Sequence, residues 1–313
     1  MKSRLFYSIL LFVLGLVILV FPQLGVYLDT SSVFFDISKF LLDYPQFLIP
    51  FGILLIILGI VFFVIFMIAE KQENTVFIIQ KPGDGNYGNA DLHYPKSILG
   101  KRDVLIYESV VTIKNSSTQS IQYEAEKINR FFGQTEKKKR IFFLGISPIP
   151  SLVYAGHTVG DTGKKVTYFH WDRNKEEAIK IGNKGGTNFV REDEIVKKKS
   201  NDYVLCVSTS YEINKDIVKR QFPKATLLFY KSNEIGTESI KTKADILTIS
   251  KSVREKIANI SDSKASVHLL LSCSSELCFA IGRKLNSPAL PKVLVYNFNR
   301  QSESPWDWNI SLN

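Results

Sequence analysis

Two short polar turns carry the residue types best suited to holding a phosphate. Ser147-Pro148-Ile149-Pro150-Ser151 and Ser272-Cys273-Ser274-Ser275 each follow an apolar run and precede a helix-like one. Serine and proline are favoured where a helix begins. Such an end presents free N–H groups and a partial positive charge, which suits an anion. Ser147, Pro148, Ser151, Ser272, Ser274 and Ser275 are therefore candidate ligand contacts, with plain helix capping as the alternative. Ser208, Thr209 and Tyr211 bring hydroxyls and an aromatic face to the end of the apolar run Tyr203–Val207. Trp171, Arg173 and Arg300 stand just beyond two further apolar runs. Aromatic faces stack on bases for roughly 1–3 kcal/mol each, and Arg pairs with phosphate through two parallel hydrogen bonds. The set fits a ligand that carries several phosphates and bases; for each residue alone, a surface loop is the plain alternative.

Other chemistries find little support. His93, His157, His170 and His268 show no metal-ligand spacing, and neither H-E-x-x-H nor G-x-x-x-x-G-K-[ST] occurs. No metal, cofactor or catalytic residue is expected; a Ser-His-Asp grouping from distant segments stays open, but nothing marks a nucleophile elbow. Gly83, Gly85 and Gly88 spell G-x-G-x-x-G, yet Asn89 to Pro95 follow without a helical period. That fingerprint needs a helix directly behind it, so the motif is rejected. The three cysteines, Cys206, Cys273 and Cys278, form no C-x-x-C and suit a reducing compartment.

The elements that position the two turns repeat about 126 residues apart. Residues 141–173 and 267–300 both read apolar strand, polar turn, apolar helix with an internal glycine, apolar strand, aromatic, Asp or Asn, Arg. Phe143 matches Leu269, Leu152 matches Cys278, Gly156 matches Gly282 and Arg173 matches Arg300. Strand-like runs at 104–113, 203–207 and 227–230 alternate with helical spacing at 121–132, 213–222 and 246–260. The expectation is an α/β fold of two similar Rossmann-like halves, 95–195 and 200–313. Two such halves about a pseudo-two-fold axis bring their carboxyl strand ends together, which is where open α/β sheets bind ligands.

The first 69 residues differ in kind. Residues 5–28 and 47–69 are charge-free, 24 and 23 residues long. About 20 apolar residues span a bilayer as helix, so the expectation is a two-helix transmembrane hairpin over 1–69, with a linker over 70–94. Nothing later is long and apolar enough to cross again. Ala69 is the first alanine, so no A-x-A cleavage site marks a signal peptide. Lys2, Arg4, Lys71 and Lys81 flank the spans on one side, which puts both termini in the cytoplasm and the short loop outside. Neither span holds an ionisable residue, so the hairpin alone is an anchor or an assembly element. Gly52 and Gly59 share a face through which helices could approach closely. The net charge of +10 falls in residues 70–313, where it suits a polyanionic ligand or the inner leaflet. The basic run Lys137 to Arg140 reads as a solvated turn, or as a contact for anionic lipid.

The stretch Val267 to Leu312 resembles the SAVED domain, through the strand His268 to Leu271, the polar turn, the helix holding Phe279-Ala280-Ile281-Gly282-Arg283, the strand Val293 to Phe298 and the short strand Trp308 to Leu312. Ser147 to Pro150 with Phe169 to Arg173 is similar to that family's N-terminal half. The resemblance covers roughly residues 95–313 and rests on order and pattern. It implies two fused CARF-like units that sense a cyclic di- or trinucleotide made by a CD-NTase enzyme in CBASS anti-phage defence. With the hairpin as the fused part, it further implies a non-enzymatic effector that oligomerises on ligand binding and disrupts the membrane, causing abortive infection. Its partners would be the cyclic nucleotide, the lipid bilayer and other copies of itself, with no nucleic acid polymer. The competing class is a membrane-anchored α/β enzyme acting on nucleotides or a small polyanion.

Overall fold

A computed structural model describes residues 10–13, 45–73, 75–82, 105–111, 122–123, 125–130, 140–161, 165–172, 177–183, 185–186, 188–260, 265–300 and 302–312. The chain divides into two compact units, Met1–Glu73 and Asn74–Asn313.

The first unit contains α1 (Pro45–Glu73), a helix of 29 residues. Its side chains are described without a break from Pro50 to Ile65. Over that stretch large apolar groups stand in the open on every side, with Phe51, Ile57, Phe62 and Ile65 all about half exposed. Leu55 is covered, at 8% exposure, and Gly52 and Gly59 lie buried on its face. Among the described residues no helix is long and apolar enough to cross a membrane. The run of described side chains is 16 residues, short of the length a span requires, although the α1 backbone continues beyond it at both ends. Most of residues 5–28 lie outside the described residues. The transmembrane reading of both spans therefore rests on the sequence.

The second unit is built on two sheets. The first contains β1 (Thr75–Pro82), β2 (Leu105–Val111), β3 (Arg140–Gly145), β4 (Lys165–Asp172) and β5 (Glu177–Lys180), in the order β2-β1-β3-β4-β5. Neighbouring strands run parallel except β5, which is antiparallel to β4. The second contains β6 (Val190–Val196), β7 (Asp202–Ser208), β8 (Thr226–Ser232), β9 (Ser266–Ser272), β10 (Lys292–Tyr296) and β11 (Asn309–Ser311), in the order β11-β10-β9-β7-β8-β6. Here β10, β9, β7 and β8 are parallel, while β11 and β6 are antiparallel edge strands. Read from β8, the second sheet follows 8-7-9-10-11, the same order and directions as 2-1-3-4-5 in the first. This is a doubly wound order whose switch point lies between the first and third strands of each set.

The spacing carries the same message. β3 begins at Arg140 and β9 at Ser266, while the helices α2 (Ile149–Val159) and α5 (Ser275–Leu285) begin 126 residues apart. The central strands are apolar on both faces, as in β7, where Val204 to Ser208 are all buried. Two helices cover the second sheet. α3 (Lys215–Gln221) is capped by Asn214, whose side chain accepts from the Asp216 and Ile217 N–H groups. α4 (Lys243–Ala258) opens on a capping box between Thr242 and Asp245.

The two sheets reach beyond the bounds read from sequence. β1 lies within 70–94 and sits between β2 and β3. β6 begins within 95–195 yet pairs with β8 of the second sheet. Its sequence, Val-Arg-Glu-Asp-Glu-Ile-Val, has charges where an apolar run would mark a strand. Such charges are typical of an edge that must not pair further.

α2 and α5 pack directly against each other. A Cβ added at Gly156 would lie 2.0 Å from the Phe279 carbonyl oxygen, and one at Gly282 would lie 1.9 Å from that of Val153. The matched glycines are thus the point where the two helix backbones touch. Phe143 of β3 stacks on Phe279 of α5 with ring centroids 3.9 Å apart, tying the first sheet to the second helix. Arg283 Nε donates to the Gly160 carbonyl at 2.9 Å, and Lys284 Nζ reaches Asp161 at 2.6 Å.

Candidate functional site

Because α2 follows β3 and α5 follows β9, both N-termini open at the carboxyl end of the sheets. A cavity of about 1160 Å³ lies there, lined from both halves of the second unit. That is at or above the upper end of ordinary small-molecule sites.

The structure sorts the sequence-read residues. Ser147, Pro148, Trp171, Tyr211, Ser272, Ser274 and Ser275 all line the cavity. Ser151, Ser208, Thr209 and Arg300 do not. Ser151 is fully buried inside α2. Ser208 Oγ accepts from the Ile213 N–H at 3.1 Å, and the Thr209 and Ser210 N–H groups donate to the Ser272 carbonyl at 2.9 and 2.8 Å. These residues fix the loop that carries Tyr211 rather than facing the cavity themselves. Arg300 sits in an exposed turn. Arg173 lies outside the described residues.

Two hydroxyls stand out. Ser274 is the N-cap of α5 but makes no capping bond, and Ser147 precedes the matching helix. Both Oγ atoms are buried without a hydrogen-bond partner. Leaving a buried polar group unpaired costs about 1–3 kcal/mol, so a ligand that pairs with them at the cavity wall recovers that cost.

Several lining residues were missed in the sequence. Phe298 is 46% exposed at the cavity, and its ring lies 4.9 Å from that of buried Trp306. With Tyr211, 66% exposed, it offers a second flat apolar face. Neither Phe298 nor Trp306 carries a local motif; chain folding alone brings them to the cavity. The charged lining was missed as well. Asp172, Glu212, Glu238 and Glu276 line the cavity against Lys180, Lys241 and His170. Among the described lining residues the acidic groups thus outnumber the cations. Anion binding in the cavity falls to main-chain N–H groups, the two hydroxyls and these few cations.

Glu276 and His170 form the site's closest ionisable pair. Glu276, in the first turn of α5, is 2% exposed, and its Oε1 lies 3.5 Å from His170 Nδ1 of β4. The hydrogen bond to Glu276 raises the His170 pKa above its ordinary 6.5; burial opposes this, and Asp172 and Glu238 add to it. A raised histidine pKa stabilises the fold fully below the unfolded value and loses that contribution as pH rises through the folded one. Melting curves from pH 5 to 9 should therefore show a decline beginning near 6.5 that Glu276→Gln removes; an unchanged pH profile in that variant would show the pair to be uncoupled.

Two buried thiols are poor nucleophiles. Burial pushes the Cys206 thiol up. The hydrogen bond with Cys273, and then burial, raise that of Cys278. Both thiols stay protonated at neutral pH, where a nucleophile needs the thiolate. Among the described residues no cluster of His, Cys, Asp or Glu could hold a metal ion.

Residues 124–312 match the family model described as "SMODS-associated and fused to various effectors sensor domain", SAVED. The chain belongs to the SAVED family. The SAVED region takes in both helix N-termini and every described lining residue of the cavity. Among solved structures, the Acinetobacter baumannii Cap4 SAVED/CARF-domain containing receptor is similar in fold. Its complex with the cyclic trinucleotide 2′3′3′-cAAA superposes with a TM-score of 0.53 at 11% identity, covering 78% of this chain and 53% of that one. Its complex with 3′3′3′-cAAA gives a TM-score of 0.51 at 12% identity, with the same coverage. The chain thus spans about half the length of those receptors. None of the curated proteins matches it.

Proposed function

We propose that this SAVED protein is a cyclic-oligonucleotide sensor whose N-terminal hairpin is the effector. The observation that carries the reading is the cavity. It lies at the carboxyl ends of two sheets of like order, where α2 and α5 both begin and two buried hydroxyls lack partners. Each half is taken as one CARF-like unit. Free N–H groups at the paired helix ends take phosphates, and Tyr211, Phe298 and Trp171 stack on bases. The Cap4 receptors, which share the fold, hold cyclic trinucleotides, and this chain is assigned a ligand of that class in CBASS-type defence.

The output is assigned to the inner membrane. Phe47 to Ala69 carries no charge, and α1 shows large apolar side chains on every side over its described length. A helix apolar all round is at home in a bilayer. Ligand shifts the sensor toward an assembled state only through its higher affinity for that state, and assembly brings the hairpins together to breach the bilayer. Gly52, Leu55 and Gly59 form the covered face of α1, so they serve close packing of the hairpin.

The test is dye release from liposomes holding the full chain, with cyclic tri-adenylate added. Leakage should require the nucleotide, and the nucleotide should be recovered intact. Steady hydrolysis would favour the membrane-anchored enzyme, and binding without leakage would remove the effector role. Gly59→Leu should spare binding, measured by calorimetry, and reduce leakage severalfold; unchanged leakage would show that this face is not part of the output.

A further inference from the structure

The two matched helix ends differ in a way that bears on what each can hold. Along the repeat, Glu276 in the first turn of α5 matches Pro150 in α2, and His170 near the end of β4 matches Asn297 just after β10. α2 has no acidic residue in its first turn. At α5 a buried carboxylate already occupies the positive end of the helix. A negative side chain there is stabilised by the helix dipole and repels a phosphate brought to the same turn. The end of α5 is therefore the weaker phosphate site of the two, whereas that of α2 is free of this repulsion.

A carboxylate in such a place must be matched. Among the described residues, His170 is its one ion-pair partner, at 3.5 Å. A carboxylate accepts hydrogen bonds at about four positions, so the pairing with His170 leaves Glu276 with accepting capacity at the wall of the cavity that it lines. What complements it is a donor without negative charge. On a nucleotide that donor is an amino group on the base edge: adenine, cytosine and guanine each carry one, and glutamate is a known partner for the cytosine amine. Uracil has no amino group; its one edge donor, N3–H, stands between two carbonyl oxygens that would meet the carboxylate as acceptors against an acceptor. Trp171 and Phe298 are the next residues after His170 and Asn297 and line the same cavity as Glu276, so a base stacked on one of them can present its edge to the end of α5.

We propose that Glu276, braced by His170, reads the amino edge of a single base in the bound cyclic nucleotide. The inference rests on the sensor reading above and adds that the two halves of the cavity are unequal. One base position is selective for an amino group; its pseudo-equivalent, with Pro150 and Asn297, is not. His170 here is a positioning residue.

The experiment is calorimetry of the full chain in detergent with three 3′,5′-linked cyclic trinucleotides: all adenine, all uracil, and one adenine with two uracils. The wild-type chain should bind both adenine-containing rings at least about tenfold more tightly than the all-uracil ring, because one amino group suffices. Glu276→Met removes the acceptors and should bring the three affinities within about threefold. Glu276→Gln keeps the shape and places an amide donor opposite uracil, so it should strengthen all-uracil binding; it decides the matter if the methionine variant melts before it can be measured. A preference for adenine that survives both variants, or equal binding of all three rings by the wild type, overturns the inference and leaves the sensor reading standing. If no ring binds the wild type at all, the sensor reading fails and this inference falls with it.

Discussion

Gly282→Val should lower the melting temperature of the SAVED domain by about 6–12 °C, the shift expected for a loss of about 3 kcal/mol in a unit of this size. The new Cβ would stand 1.9 Å from the Val153 carbonyl oxygen and 2.9 Å from the His157 nitrogen. Main chain, unlike the tip of a long side chain, cannot swing aside, so the two helices must separate. Their separation would loosen the stack between Phe143 and Phe279 and the bond from Arg283 to Gly160. Gly156→Val should act alike, since its Cβ would meet the Phe279 oxygen at 2.0 Å. The double variant should lose less than the sum of the single losses, because one separation relieves both overlaps. All three tryptophans, Trp171, Trp306 and Trp308, lie in the second unit, so intrinsic fluorescence follows that unit alone. A melting point within about 2 °C of the wild type would show that the crossing opens freely.

Ser275→Trp should weaken cyclic tri-adenylate binding at least about 100-fold, equivalent to about 2.7 kcal/mol. Ser275 is the first residue of α5 and lines the cavity between the two helix N-termini. An indole there fills the space that both ends address and covers the unpaired Ser274 hydroxyl beside it. The residue is partly exposed and its side chain makes no described hydrogen bond, so the fold should be preserved. Calorimetry measures the affinity, and an unaltered ligand-free melt confirms that the loss is local. Binding within about threefold of wild type would move the ligand away from this mouth.

Much of the second unit was legible because its signals are local. An apolar run such as Val204 to Val207 is a buried parallel strand almost wherever it stands, and Asn214 or Thr242 before an apolar period marks where a helix starts. The offset of 126 residues was readable because both copies kept the same run, turn, helix and strand. The glycine pair was visible as a match, although what each glycine touches was not. β6 was missed because its charges hide an edge strand, and the strand-like run at Thr75 to Gln80, which is β1, was left outside the domain because the turn-rich stretch after it reads as linker.

The site was legible only where a residue sits next to a strand end. Ser147, Trp171, Tyr211 and Ser272 were found that way. Ser208 and Thr209 share that position but turn inward, and nothing local distinguishes a hydroxyl that fixes a loop from one that faces a ligand. Arg300 matched the pattern of the repeat yet lies in an exposed turn away from the cavity. Phe298, Trp306 and Glu276 needed the fold. One cue to Glu276 was available: an acid two residues into a helix, where the other copy has Pro150.

The crossing of α2 and α5 has a consequence for how this protein can vary. At a contact between two side chains, a larger residue on one helix can be accommodated by a smaller one opposite, and the pair can drift together. Here each glycine faces a carbonyl oxygen, which every amino acid carries. No exchange on the opposite helix can make room. A suppressor search starting from Gly282→Ala should therefore return changes that shift a whole helix, or reversion to glycine, and none confined to the residue it faces.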